Sequence, residues 1–82
     1  MPDGRMFDAI DQLTKTGIVT PDQATDFREH RRKQRHLLEE AWRRADDLTA
    51  NDPAAGEATT RSIYRALRTI RDSLGLDETE FP

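Results

Sequence analysis

"PDQATDFREHRRKQRHLLEEAWRRADDLTA", residues 21–50, runs thirty residues without a glycine or an internal proline. Such a stretch reads as one helix of about 28–30 residues, roughly 43 Å long at 1.5 Å per residue. Its start is well marked. Thr20 is the N-cap, Pro21 takes the first helical position, and Gln23 completes a capping box. Val19 precedes the cap and is placed to staple onto Ala24. The helix stops at "TANDPAAGE" (49–57), where Asn51, Asp52, Pro53 and Gly56 all disfavour continuation.

A shorter helix over about 3–16 precedes this rod. Met6, Phe7, Ile10 and Leu13 fall on one face at helical spacing, and Gly17 follows them. A glycine just past a helix adopts the left-handed conformation cheaply, and Ile18 can fold back as the accompanying apolar contact. A third helix is expected over about 57–74, although Asp52-Pro53 is a competing start to a point near Ala58. It ends at Gly75, with Leu76 placed for the C-terminal contact. Residues 77–82, "DETEFP", read as an acidic, frayed tail. Period-two alternation is missing throughout, so the expected fold is all-α. It comprises a short, a long and a medium helix, the third returning antiparallel along the second in a single domain over 1–76.

Eighty-two residues, 34% hydrophobic and 35% charged, leave a thin core. The absence of cysteine excludes disulfides and thiolate metal sites as staples. A partner then becomes the natural supplement. A first helix of about 14 residues covers at most half of a rod twice as long, which predicts a homodimeric helical bundle. The acidic opening "MPDGRMFDAI" has no apolar run, and nothing approaches the roughly 18 apolar residues of a membrane span. A soluble cytoplasmic protein without membrane contact is expected.

The basic cluster "REHRRKQRH" (28–36) stands out in a chain of net charge −3. Much of it has a carboxylate at helical neighbour spacing: Glu29 with Lys33, Arg35 with Glu39, Glu39 with Arg43, Glu40 with Arg44, and Arg43 with Asp47. Each such pair supports a solvated helix by ~0.2–0.5 kcal/mol. On the helical wheel Phe27, Leu37, Leu38, Ala41, Ala45 and Leu48 share one face, with His30 and Gln34 in its middle. Those two read as a polar layer fixing register in the seam. On the third helix Ile63, Leu67, Ile70 and Leu74 form the core face, while Arg61, Arg65 and Arg68 form a guanidinium stripe nearly opposite. Arginine outnumbers lysine eleven to two, as GC-rich codon usage alone would produce.

Catalytic chemistry is not visible. The two serines, Ser62 and Ser73, have no histidine at local spacing, and there is no glycine-rich phosphate loop or cluster of metal ligands. His36 and Glu40, at i and i+4, read as a surface pair rather than a metal site. Asp72-Ser73-Leu74 resembles the tripeptide at the phosphopantetheine site of acyl carrier proteins. In that family the serine opens a second helix in mid-chain, whereas here it closes the last helix with nine residues following. Small helical chorismate mutases offer a second resemblance as arginine-rich chains of this length. Their opening Leu-Arg-x-x-Ile-Asp pattern is matched by Ile10-Asp11 alone. Neither resemblance leads to an assignment.

The reading is a non-catalytic interaction protein, without cofactor or metal: a regulator, adaptor or assembly factor working through helix faces. Its candidate partner-binding residues are Arg31, Trp42, Arg61, Tyr64, Arg65 and Arg68, since arginine and aromatics carry disproportionate interface energy. The alternative is nucleic-acid binding through an arginine patch of the second and third helices. Against it stand a pI of about 5.3 and the lack of aromatics interleaved with the arginines.

Overall fold

Two left-handed glycines punctuate the chain. In the computed structural model, which describes residues 4–51 and 56–81, Gly17 has φ 80° and Gly75 has φ 71°. The helices they terminate are α1 (Gly4–Lys15) and α4 (Glu57–Ser73). Each ends in the same two-bond motif. Ile18 and Gly17 N–H donate to Leu13 and Thr14 C=O, and Leu76 and Gly75 N–H donate to Arg71 and Asp72 C=O. The capping box forms as read: Gln23 N–H donates to Thr20 Oγ1 at 3.1 Å, and Thr20 N–H donates to Gln23 Oε1 at 3.0 Å.

The long rod does not form. The capping box opens α2 (Pro21–Glu29), which stops at His30; a 3-10 turn over Arg31–Lys33 follows, and α3 (Gln34–Asn51) resumes. The last bond of the α2 ladder runs from His30 N–H to Asp26 C=O at 2.8 Å. The next carbonyl, that of Phe27, accepts the Gln34 side-chain amide at 2.8 Å instead. A side chain thus replaces a rung of the ladder, and the chain turns. A continuous helix over these 31 residues would span about 46 Å, longer than the largest extent of the Cα trace, 38 Å.

The turn closes the core. α2 packs on α1 and α3, and both of those pack on α4, so the four helices form a ring. Residues from α1 to the α4 end meet in one cluster: Ile10, Leu13, Phe27, Leu38, Leu67 and Ile70 are all fully buried. Gln12 meets Ser62 while Arg5 lies beside Thr69, Asp72 and Ser73, so α1 runs antiparallel to α4. The contacts of Asp46 with Tyr64 and of Arg35 with Glu80 give the same sense to α3 against the chain that follows it. The antiparallel hairpin is α3–α4, and its first arm has 18 residues in place of the roughly 28–30 expected of the central helix. Competing starts for the last helix at Asp52-Pro53 lie outside the described residues.

Two further expectations change. The dimer rests on an apolar rod left half uncovered; in this fold Phe27 and Leu38, on either side of the break, are both 0% exposed within one chain, and that premise is gone. The stretch after α4 is not frayed over its described length. Asp77 C=O accepts from the N–H groups of Glu80 and Phe81, and Phe81 is buried against the core. Among the described residues there is no strand, and no helix is long and apolar enough to cross a membrane.

Candidate functional site

α4 carries the features that could meet a partner. Its core face is Ile63, Ala66, Leu67 and Ile70, all buried. At 100° per residue, Arg61, Arg65 and Arg68 (i, i+4, i+7) fall within about 60° on the outer crest. All three are exposed, and none has a carboxylate within ion-pair distance among the described residues. The crest divides two flanks. On one, Ser62 and Thr69 turn toward α1; on the other, Tyr64 turns toward α3.

Toward α1 the two helices leave an open groove of about 570 Å³. Arg61 and Arg65 stand on its α4 wall and Arg5 and Asp8 on its α1 wall, with Ala9, Ala58 and Ala66 between. Ser62 Oγ donates to Gln12 Oε1 at 2.7 Å and ties the walls together. Small residues flanked by arginines make a shallow trough that a backbone can approach closely.

Toward α3 the surface is aromatic. Trp42 meets Tyr64 edge-on at 6.3 Å between ring centroids and Phe81 at 5.7 Å. Both Trp42 and Tyr64 are half-buried, and the Tyr64 hydroxyl donates to Asp46 Oδ1. Burial, and then that bond, holds the Tyr64 phenol above its ordinary proton affinity. Arg35 Nη2 bonds Glu80 Oε1 at 2.5 Å, which raises the guanidinium further from deprotonation. Beneath lies Arg71, a buried charge at 6% exposure.

Four of the six expected contact residues, Arg61, Tyr64, Arg65 and Arg68, therefore share α4, with Trp42 against Tyr64. Arg31 is elsewhere. It sits in the 3-10 turn, which packs on α2 and α3 but not on α4, so the basic patch is split in two. Arg31, Arg32 and Lys33 are exposed there and make no ion pair with any described residue. His30 and Gln34 do not form a layer between helices: His30 is exposed at the break, its Nε2 3.6 Å from Asp26 Oδ1, and Gln34 caps Phe27. Of the five anticipated i,i+4 pairs, Arg35–Glu39 forms, at 3.5 Å. Arg28 pairs with Asp11 on α1, Arg44 donates to Ile18 C=O, and His36 lies 3.2 Å from Glu40. No three His, Asp or Glu converge as a metal site among the described residues.

Sequence reasoning missed Arg71 and the α1 wall of the groove. Arg71 was detectable, since it falls about 40° from Leu67 on the wheel, on the apolar side. Comparison with family models, with curated proteins and with solved structures finds nothing that matches this chain.

Proposed function

We propose that the chain is a small non-catalytic interaction module, a regulator, adaptor or assembly factor, that seats an acidic helical segment of a partner protein in the α1–α4 groove. One observation carries this reading: Arg61, Arg65 and Arg68 line up without carboxylate partners beside a trough of small residues. Carboxylates at i, i+4 and i+7 of a partner helix match that spacing, and alanines beneath permit close approach. The single chain suffices as the binding unit. Its core is closed, so a second copy is not needed to complete it.

The test is a titration of a labelled helical peptide bearing glutamates at i, i+4 and i+7, against a scrambled peptide of equal charge. Binding should saturate, weaken with salt, favour the ordered peptide by about tenfold, and vanish in the Arg61→Glu, Arg65→Glu, Arg68→Glu variant. Equal binding of both peptides, or survival of binding in that variant, refutes the reading. The nucleic-acid reading is supported instead by the unpaired Arg31-Arg32-Lys33 turn. It predicts salt-sensitive association with duplex or RNA, abolished by charge reversal at 31–33 and indifferent to residues 61–68.

A further inference from the structure

The buried Arg71 has an unusual set of partners. Its Nε and Nη2 each lie 3.0 Å from Oδ1 of its sequence neighbour Asp72, a residue mostly in solvent. Its other partners come from the segment after α4: Nη1 donates to Phe81 C=O at 2.8 Å, and Nη2 lies 3.8 Å from Glu78 Oε1. Neither α1, α2 nor α3 supplies an acceptor. A guanidinium buried for the sake of the fold would ordinarily be satisfied by the body of the fold, because an unpaired buried charge is strongly destabilising. Here the fork is shared between Asp72 on its own helix and a short segment lying on the surface, which takes Nη1.

That segment has the form of a bound peptide. Asp77, Glu78, Thr79 and Glu80 are all exposed, and Phe81 alone is inserted, at 5% exposure, against Trp42. A second guanidinium, Arg35, holds Glu80. So the slot at the α3–α4 junction reads three things at once: an aromatic ring, a backbone carbonyl at that ring, and carboxylates one and three residues before it. The segment is held by one inserted ring, one backbone hydrogen bond and two ion pairs, contacts that a free segment of the same chemistry can reproduce.

We infer that this slot is a peptide-recognition site for an acidic segment with an aromatic residue one position after a carboxylate, occupied in cis by residues 77–81 and open in trans to a partner segment of that chemistry. Charge complementarity points to the class of partner: Arg35 and Arg71, each also beside a carboxylate of its own helix (Glu39 and Asp72), face Glu80 and Glu78 of the present occupant. The site is separate from the α1–α4 groove and does not depend on what binds there.

The experiment uses the full chain carrying Phe81→Ala and the synthetic peptide DETEFP, with emission of the single tryptophan, Trp42, as readout. The variant should bind the peptide saturably and about tenfold or more tighter than the wild type, whose tethered segment competes at high effective concentration. The peptide with alanine for phenylalanine should not bind. Adding Arg71→Lys, which keeps the charge but loses the planar fork, should weaken binding about tenfold. If Phe81→Ala does not fold, the peptide in trans should restore its helical circular dichroism. Absence of binding to a folded Phe81→Ala, or of restoration in an unfolded one, overturns the site. Concentration-dependent dimerisation of the wild type that Phe81→Ala abolishes would make the occupant a second copy of this chain and overturn the partner assignment.

Discussion

Replacing Gln34 by methionine tests the break between α2 and α3 directly. The two side chains are similar in length and helix propensity, so the change removes mainly the amide. In the structure that amide is the donor to Phe27 C=O, 2.8 Å away, at the point where the backbone ladder of α2 ends. Losing a hydrogen bond of this kind costs about 0.5–1.5 kcal/mol, and more where the orphaned acceptor is shut off from water. Gln34 is half-buried, so water reaches part of the gap and the expected cost is about 1 kcal/mol. For a domain of this size that lowers the melting temperature by about 4–8 °C, easily read by circular dichroism at 222 nm.

The sign of the change discriminates between the two arrangements. Were residues 21–51 one rod with His30 and Gln34 interrupting an intermolecular seam, Gln34→Met would remove a polar residue from that seam and raise stability. It would also favour an elongated dimer. The broken arrangement predicts the opposite: a lower melting temperature and unchanged small-angle scattering, close to the 12.0 Å radius of gyration of the Cα trace. A higher melting temperature accompanied by a particle longer than about 46 Å would refute the break at His30 and the closed four-helix core that depends on it.

Gly17→Ala should cost about 1–2 kcal/mol, because φ of 80° places a Cβ against its following carbonyl. No neighbour lies within 4 Å of the added atom, so the loss is one of backbone conformation alone. Gly4→Ala, with equal room and no positive φ, is the control and should be neutral or slightly stabilising; equal losses at both sites would contradict the assignment. Acid should release the segment after α4. Thr79 N–H donates to Asp77 Oδ1 at 3.1 Å and holds that carboxyl below its ordinary proton affinity. A folded-state value below the unfolded one contributes stability above about pH 4 that disappears as pH falls through the lower, folded value. Trp42 emission should therefore shift in that window, and Asp77→Asn should remove the part of the shift that belongs to this turn; an unchanged profile would exclude it.

Helix ends were legible wherever the chemistry is local. Gly17, Gly75 and the Thr20-Pro21-Gln23 group each act within five residues, and each forms the bonds its spacing implies. The break at His30 is different in kind. Residues 28–33 hold nothing that disfavours a helix, and the turn is paid for by tertiary packing that brings Phe27 and Leu38 into one core. A trace of it was nevertheless present. Two polar residues in the middle of an apolar face mark either a layer between helices or a place where the face is not continuous, and here the second holds. The arginine crest of α4 survived because it depends on one helix's own periodicity. Arg31 did not join it, since its placement depended on the direction of a rod that turns. The docking of the segment that carries Phe81 had no local signal, because a lone aromatic in an acidic stretch belongs to no helical face.

The net charge of −3 bears on how an acidic partner could approach at all. At 0.1 M salt the Debye length is about 10 Å, shorter than the molecule's smallest extent of 19 Å. A ligand at the α4 crest therefore responds mainly to nearby charges, not to the whole-chain sum. Nearby are three guanidiniums without carboxylate partners, with Arg5 and Asp8 across the groove, and the acids of residues 77–80 are drawn off to the α3–α4 side, where Arg35 holds Glu80. Docking that segment has two electrostatic effects. It screens Arg71 from outside carboxylates, and it leaves the crest as the exposed cationic surface of α4. Release of the segment would reverse the first of these and leave the crest as it is. An acidic-aromatic ligand in the slot would restore the charge pattern that the segment now supplies, whereas an empty slot would leave a second cationic site competing with the crest.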